Sequence, residues 1–149
     1  MAKFAFRLAT LLRLREATRD DRRAHLAEAL RAQEILAERR QTLNDELREL
    51  QSRQRSGSFG HLNVDALIDA QRYTAVLQSQ MKQADEQSAI VAAEIERRRQ
   101  SLTLADRDVR VLERLRAKQV ERHRQQQSLQ EVKQLDEVAG HAAARLEVD

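Results

Sequence analysis

Four histidines, His25, His61, His123 and His141, are the side chains best suited to proton transfer or metal binding near neutral pH. They stand far apart, and no HExxH, GxxxxGK[ST], GxSxG or GxGxxG motif accompanies them. Adjacent acids such as Asp136 and Glu137 splay apart on a helix, where only residues three or four apart share a side. Cysteine is absent, so there is neither a disulfide framework nor a thiolate zinc site, which fits a reducing compartment. These groups read as solvated helix surface. No catalytic residue, cofactor or metal is expected, and an enzyme reading has no residues behind it.

The charges that do cluster are basic. The chain balances 27 Lys and Arg against 24 Asp and Glu, but the excess is local. Met1 to Arg23 holds Lys3, Arg7, Arg13, Arg15, Arg19, Arg22 and Arg23 against Glu16, Asp20 and Asp21. Arg110 to Arg124 holds six bases against Glu113 and Glu121. Such patches steer a protein toward acidic surfaces or phosphate-rich partners. Nucleic acid is not expected as that partner, because aromatics are only 3% of the chain and no reading motif is present. Lys3 to Leu14 is amphipathic enough for a membrane surface, although packing against a second helix is its better use.

Residues spread along a chain need elements to position them, and here those elements are helices. Charged residues make up 34% of the sequence, with no proline or tryptophan, so the only possible core is a narrow aliphatic seam. Gln, Glu, Arg, Ala and Leu dominate, all residues that lose little freedom in a helix. The one strong break is Ser56-Gly57-Ser58-Phe59-Gly60. A single coiled-coil domain follows, with helix one over about 4–54, a turn over about 55–62 and helix two over about 63–146. Asn63 suits the cap of the second helix. Leu62 and Leu67 have the spacing of a hydrophobic staple. No apolar run is long enough to span a bilayer and no signal-peptide pattern opens the chain, so a cytoplasmic protein is expected.

Apolar residues in both arms recur in steps of three and four, the pattern of helices wound around a partner. The first arm offers Leu8, Leu12, Leu26, Ala29, Leu36, Leu43, Leu47 and Leu50; the second runs from Leu67 through Leu77, Met81, Val91 and Ile95 to Val109 and Leu112. If the arms fold back on each other, facing residue numbers add to a constant. A sum of roughly 117 matches the seams throughout, pairing Leu12 with Ala105, Leu36 with Met81 and Arg19 with Arg98. Glu49 to Arg53, Glu94 to Arg98 and Asp106 to Arg110 are acid-first pairs four apart, each worth about 0.2–0.5 kcal/mol. The second helix, about 125 Å against about 75 Å, must overhang. Its last stripe, Leu129, Val132 and Leu135, needs a partner to be stable. The expected fold is all-α, a long antiparallel two-helix coiled-coil hairpin with the C-terminal helix overhanging.

The opening Phe4-Ala5-Phe6-Arg7-Leu8 with Leu11-Leu12-Arg13-Leu14-Arg15-Glu16, the mid-chain glycine turn, and Lys133-Gln134-Leu135-Asp136-Glu137-Val138-Ala139 together resemble the FliJ family of flagellar type III export proteins. The resemblance covers nearly the whole chain. It implies a two-helix coiled coil similar to the central stalk of rotary ATPases, acting at the cytoplasmic face of the inner membrane. The implied partners are the flagellar export ATPase, the cytoplasmic domain of the export-gate protein and export chaperones. Carried over, Phe4, Phe6, Arg7, Leu11, Arg15, Lys133, Leu135, Asp136 and Glu137 become candidates for the ATPase contact. Leu43, Leu47, Leu67, Gln71, Thr74 and Gln78 become candidates for the gate contact, although Leu43 and Leu47 stand where the family carries aromatics. Burial in the seam competes for Leu67 and Thr74.

The expected function is therefore a non-enzymatic stalk that joins an ATPase ring to an export gate and escorts chaperones. The equivalent stalk of a virulence secretion system has the same physics. A generic coiled-coil scaffold would dimerise through the overhang.

Overall fold

Strong helix formers fill both arms without a proline, so each arm satisfies its own backbone along one uninterrupted helix. In the computed structural model, which describes residues 3–57, 60 and 63–146, α1 spans Ala9–Ser56 and α2 spans Val64–Leu146. No strand occurs among the described residues. The two helices pack antiparallel as a coiled-coil hairpin, and α2 is the longer, 83 residues to 48.

The helix ends follow from local chemistry. Asn63 caps α2: its side-chain oxygen accepts from the backbone N–H of Asp65 at 3.1 Å and of Ala66 at 3.4 Å. Leu62, the other half of the expected staple, lies outside the described residues, as do Ser58, Phe59 and His61. At the far end of α1 the Gly57 N–H donates to the Arg53 carbonyl at 2.9 Å, and Arg53 and Arg55 oppose the dipole. The start of α1 differs from the sequence spacing, which carried the helix back to Phe4. Residues 3–6 are not helical, and the first turn holds no acid to favour an earlier start. The Ala9 N–H donates to the Phe6 carbonyl at 3.2 Å, and Phe6 packs on Leu12, Val109 and Leu112. Packing, not helix formation, holds this leading segment.

Contacts divide the chain into two units, and both helices continue through each. The first comprises residues 1–19 and 104–149. Its core is Leu12, Ala105, Val109 and Leu112, with Val109 fully buried. Arg15 Nη1 reaches Asp108 Oδ2 at 3.3 Å, and the Phe4 and His123 rings meet at 5.6 Å between centroids.

The second unit comprises residues 20–103 and buries Ala29, Leu43, Leu77, Ala84 and Ile95. Arg40 Nε lies 2.5 Å from Asp85 Oδ1, and the Tyr73 hydroxyl donates to Glu46 Oε2 at 3.1 Å. In both units the interior is one strip of aliphatic side chains.

The register differs from the sequence expectation. Leu12 packs with Val109 and Leu112. Arg98, which had been placed opposite Arg19, donates to the His25 carbonyl and lies 3.9 Å from Glu28. Among the polar and ring contacts between the helices, facing numbers add to roughly 119 to 127, above 117. The cause is a degeneracy: sliding a seam by one layer leaves its apolar period intact, so leucine spacing alone cannot choose. Charges can. The observed register sets Arg15 against Asp108 and Arg40 against Asp85, and gives Arg98 an acid instead of a second arginine.

Candidate functional site

A two-helix coiled coil has little concave interior, and the side chains with the most chemistry sit in open grooves. A polar groove of about 350 Å³ is lined by Arg22, His25, Glu94, Arg97, Arg98 and Ser101 in the 20–103 unit. Glu94 accepts from Arg98 Nε at 2.8 Å and pairs with Arg97 at 3.1 Å. The Arg98 hydrogen bond, aided by both guanidinium charges, holds its carboxyl below the usual range. His25 lies between Asp21, 3.5 Å from Nε2, and Glu28, 3.6 Å from Nδ1. Among the described residues no group of three or more His, Cys, Asp or Glu is placed to hold a metal ion. Nor is any helix among them long and apolar enough to cross a membrane.

A second groove of about 400 Å³ in the same unit is apolar, lined by Ala32, Ile35, Leu36, Gln87, Ile90 and Val91. Nearer the turn, Glu46, Glu49, Leu50, Arg53 and Tyr73 surround a shallow cleft. There the hydrogen bond to the Glu46 carboxylate raises the Tyr73 pKa, since losing the phenolic proton would set two anions face to face.

The residues expected to contact an ATPase divide by position. Phe4 and Phe6 are half-buried in the 1–19 and 104–149 unit, and Arg15 is committed to Asp108. Arg7 and Leu11 are exposed beside them. Lys133, Leu135, Asp136 and Glu137 lie on the part of α2 that α1 does not reach: from Ser128 to Leu146 every side chain is exposed, Leu135 by 69%. The two end motifs thus share a unit but not a contact patch. The first patch is built on the helix pair, and a bare single helix carries the second.

The residues expected to contact a gate divide as well. Leu43 is buried and Leu47 half-buried, so both serve the seam. Thr74 is half-buried, with its hydroxyl donating to the Ala70 carbonyl at 2.9 Å. Leu67, Gln71 and Gln78 are exposed on α2. Sequence reasoning missed Tyr73, which borders this surface, is 48% exposed and is fixed by Glu46. It is the only tyrosine in the chain, and its place off the seam period was the available signal.

Two long helices with a narrow seam and a solvated end to the longer one define a coiled-coil interaction protein, whose working parts are helix surfaces. The chain belongs to the FliJ family: the family model described as Flagellar FliJ protein matches residues 4–147. That makes it a flagellar export-related coiled-coil protein of a structural, non-enzymatic family. No curated protein and no solved structure gives a significant match.

Proposed function

We propose that this protein is the stalk of a flagellar type III export apparatus, seating its terminal segments in the export ATPase ring and reaching the export gate from its turn end. The observation that carries the reading is the family membership together with a bare 128–146 segment beside a basic helix pair. Residues 3–19 and 104–124 hold twelve Lys or Arg against five Asp or Glu, whereas residues 20–103 hold thirteen against fourteen. The basic charge of the chain is therefore concentrated where α1 begins. A stalk gripped by an acidic ring needs that charge at one end.

Phe4, Phe6, Arg7, Leu11 and Arg15 then form the half of the ATPase contact that the helix pair carries. Lys133, Leu135, Asp136 and Glu137 form the half that gains order on docking. Leu67, Gln71 and Gln78 are the gate-facing side chains, with Leu43, Leu47 and Thr74 supporting them from the seam. Export chaperones bind the free helix surface between turns of the ATPase cycle. The protein is cytoplasmic and meets the inner membrane only through its partners.

Size-exclusion chromatography with light scattering tests this. The chain mixed with the flagellar export ATPase of the same organism is expected to co-elute with it, and removal of residues 133–149 is expected to abolish co-elution while the remaining helices stay folded by circular dichroism. Full binding by the truncated chain would overturn the assignment of that segment; no binding by the intact chain would overturn the stalk.

A further inference from the structure

Nothing local fixes where α1 begins. The residue before Ala9 is Leu8, which has no side-chain oxygen to offer the free backbone N–H groups, and the first turn holds no acid. Upstream, Phe4-Ala5-Phe6-Arg7-Leu8 contains neither proline nor glycine, so another turn of helix is open to it. Residues 3–6 are nevertheless not helical. Phe4 and Phe6 are half-buried while Lys3, Ala5 and Arg7 are exposed, an alternation of period two that belongs to extended chain.

This strap lies on α2 within the 1–19 and 104–149 unit. Phe6 covers Leu12, Val109 and Leu112, and the Phe4 ring meets the His123 ring. Between residues 113 and 124 the side chains of α2 that are shielded are Gln119, Val120 and His123. A helix would change the display. Continued back from Ala9 at 3.6 residues per turn, Ala5 falls with Leu8 and Leu12 on the seam side, whereas Phe6 falls with exposed Thr10, Arg13 and Ala17 on the outer side.

We propose that the leading segment is a strap-to-helix switch. In the first state residues 3–8 lie along α2 and hide Phe6. In the second they add a turn to α1, which withdraws Phe4 from His123, opens α2 at Val120 and carries Phe6 outward beside Arg13 and Leu14, the latter already 62% exposed. The Arg7 and Leu8 amides, which donate to no backbone carbonyl among the described residues, then gain acceptors at Lys3 and Phe4. Each state offers what the other gives up, ring burial in one and helical hydrogen bonds in the other. Both belong to the chain alone, so the switch stands whether or not the ATPase takes this end.

Amide exchange of the full chain, read residue by residue, tests this together with the distance between spin labels at Lys3→Cys and Gln126→Cys, on a chain with no cysteine of its own. In the parent the Arg7 and Leu8 amides are expected to exchange as unprotected chain. Phe4→Ala removes the ring that holds the strap, and should slow their exchange by about tenfold or more as the segment becomes helix. The label distance should lengthen in that variant, because five residues span about 9 Å less as helix than as extended chain. His123→Ala should act in the same direction. Adding Leu8→Asp to Phe4→Ala puts a capping oxygen directly before Ala9, which pins the helix start there, and the protection should be lost again. Circular dichroism confirms that each variant keeps its two long helices. Protected Arg7 and Leu8 amides in the parent would overturn the strap. Unprotected amides in Phe4→Ala would overturn the helical state, since the released segment would then be coil, and so would protection that survives Leu8→Asp.

Discussion

Arg40 and Asp85 meet across the two helices of the 20–103 unit, with Nε 2.5 Å and Nη2 3.5 Å from the two carboxylate oxygens. The bond to Asp85 raises the Arg40 pKa above its ordinary value. Both groups are half exposed, so the pair adds little to stability, yet it distinguishes registers that the leucines leave equivalent. Reversing either charge, with Arg40→Asp or Asp85→Arg, is expected to lower the thermal midpoint, and the double reversal to recover most of the loss. A double variant that melts like the sum of the singles would show that the two do not interact. Cross-linking gives an independent reading. Leu12→Cys with Val109→Cys should close a disulfide within one chain, while Leu12→Cys with Ala105→Cys should not, because the bond needs Cα atoms within about 7 Å.

Burial separates side chains that hold the pair together from those that wait for a partner. Leu77 is 1% exposed and Leu135 is 69% exposed, although both occupy heptad-like positions. Leu77→Ala is expected to cost about 2–5 kcal/mol in urea denaturation, since truncation removes apolar contact and leaves a cavity. Leu135→Ala should stay within about 0.5 kcal/mol. Its effect belongs in binding. Equal stability losses from the two variants would mean that the overhang is packed in solution.

The helices and the Asn63 cap were legible in the sequence because each rests on local chemistry: helix-forming residues, and an amide one residue before the first helical turn. The seam residues were legible because burial in a coiled coil repeats every three and four positions. The register was not, since Leu12 has an apolar neighbour whether it faces Ala105 or Val109. Only long-range pairs such as Arg15 with Asp108 break that tie, and nothing local in the chain marks them. The leading Phe4 and Phe6 read as helix because their neighbours do, and packing against His123 and the Leu12 cluster took them off it.

Glu94 gives the fold a dependence on acid. Its folded pKa lies below that of an unfolded glutamate, about 4.3, chiefly through the Arg98 hydrogen bond. A depressed carboxylate stabilises the folded state fully above the unfolded pKa and loses that contribution as pH falls through the folded value. Arg98 in turn donates to the His25 carbonyl on α1, so protonating Glu94 loosens an anchor between the helices. Glu94→Gln should therefore melt below the parent at pH 7, with the two midpoints converging as pH falls through the folded value. A constant gap across that range would show that the loss comes from packing and not from ionisation.

Gly140 sits in the exposed end of α2, where a Cβ would meet nothing within 4 Å. Glycine in a helix interior costs about 1 kcal/mol relative to alanine, chiefly because it has more freedom to lose. Gly140→Ala should therefore slow amide exchange across 128–146 without touching the seam. If the ATPase takes this segment as a helix, the variant pays less ordering entropy on docking, and binding should tighten by up to about fivefold. If instead the partner backbone closes directly over Gly140, the added methyl obstructs it and binding weakens, although the helix is firmer. The two measurements together separate these cases: slower exchange with tighter binding means the glycine only loosens the free helix, and slower exchange with weaker binding means that it is part of the contact. Unchanged exchange would refute both, because the segment would already be held.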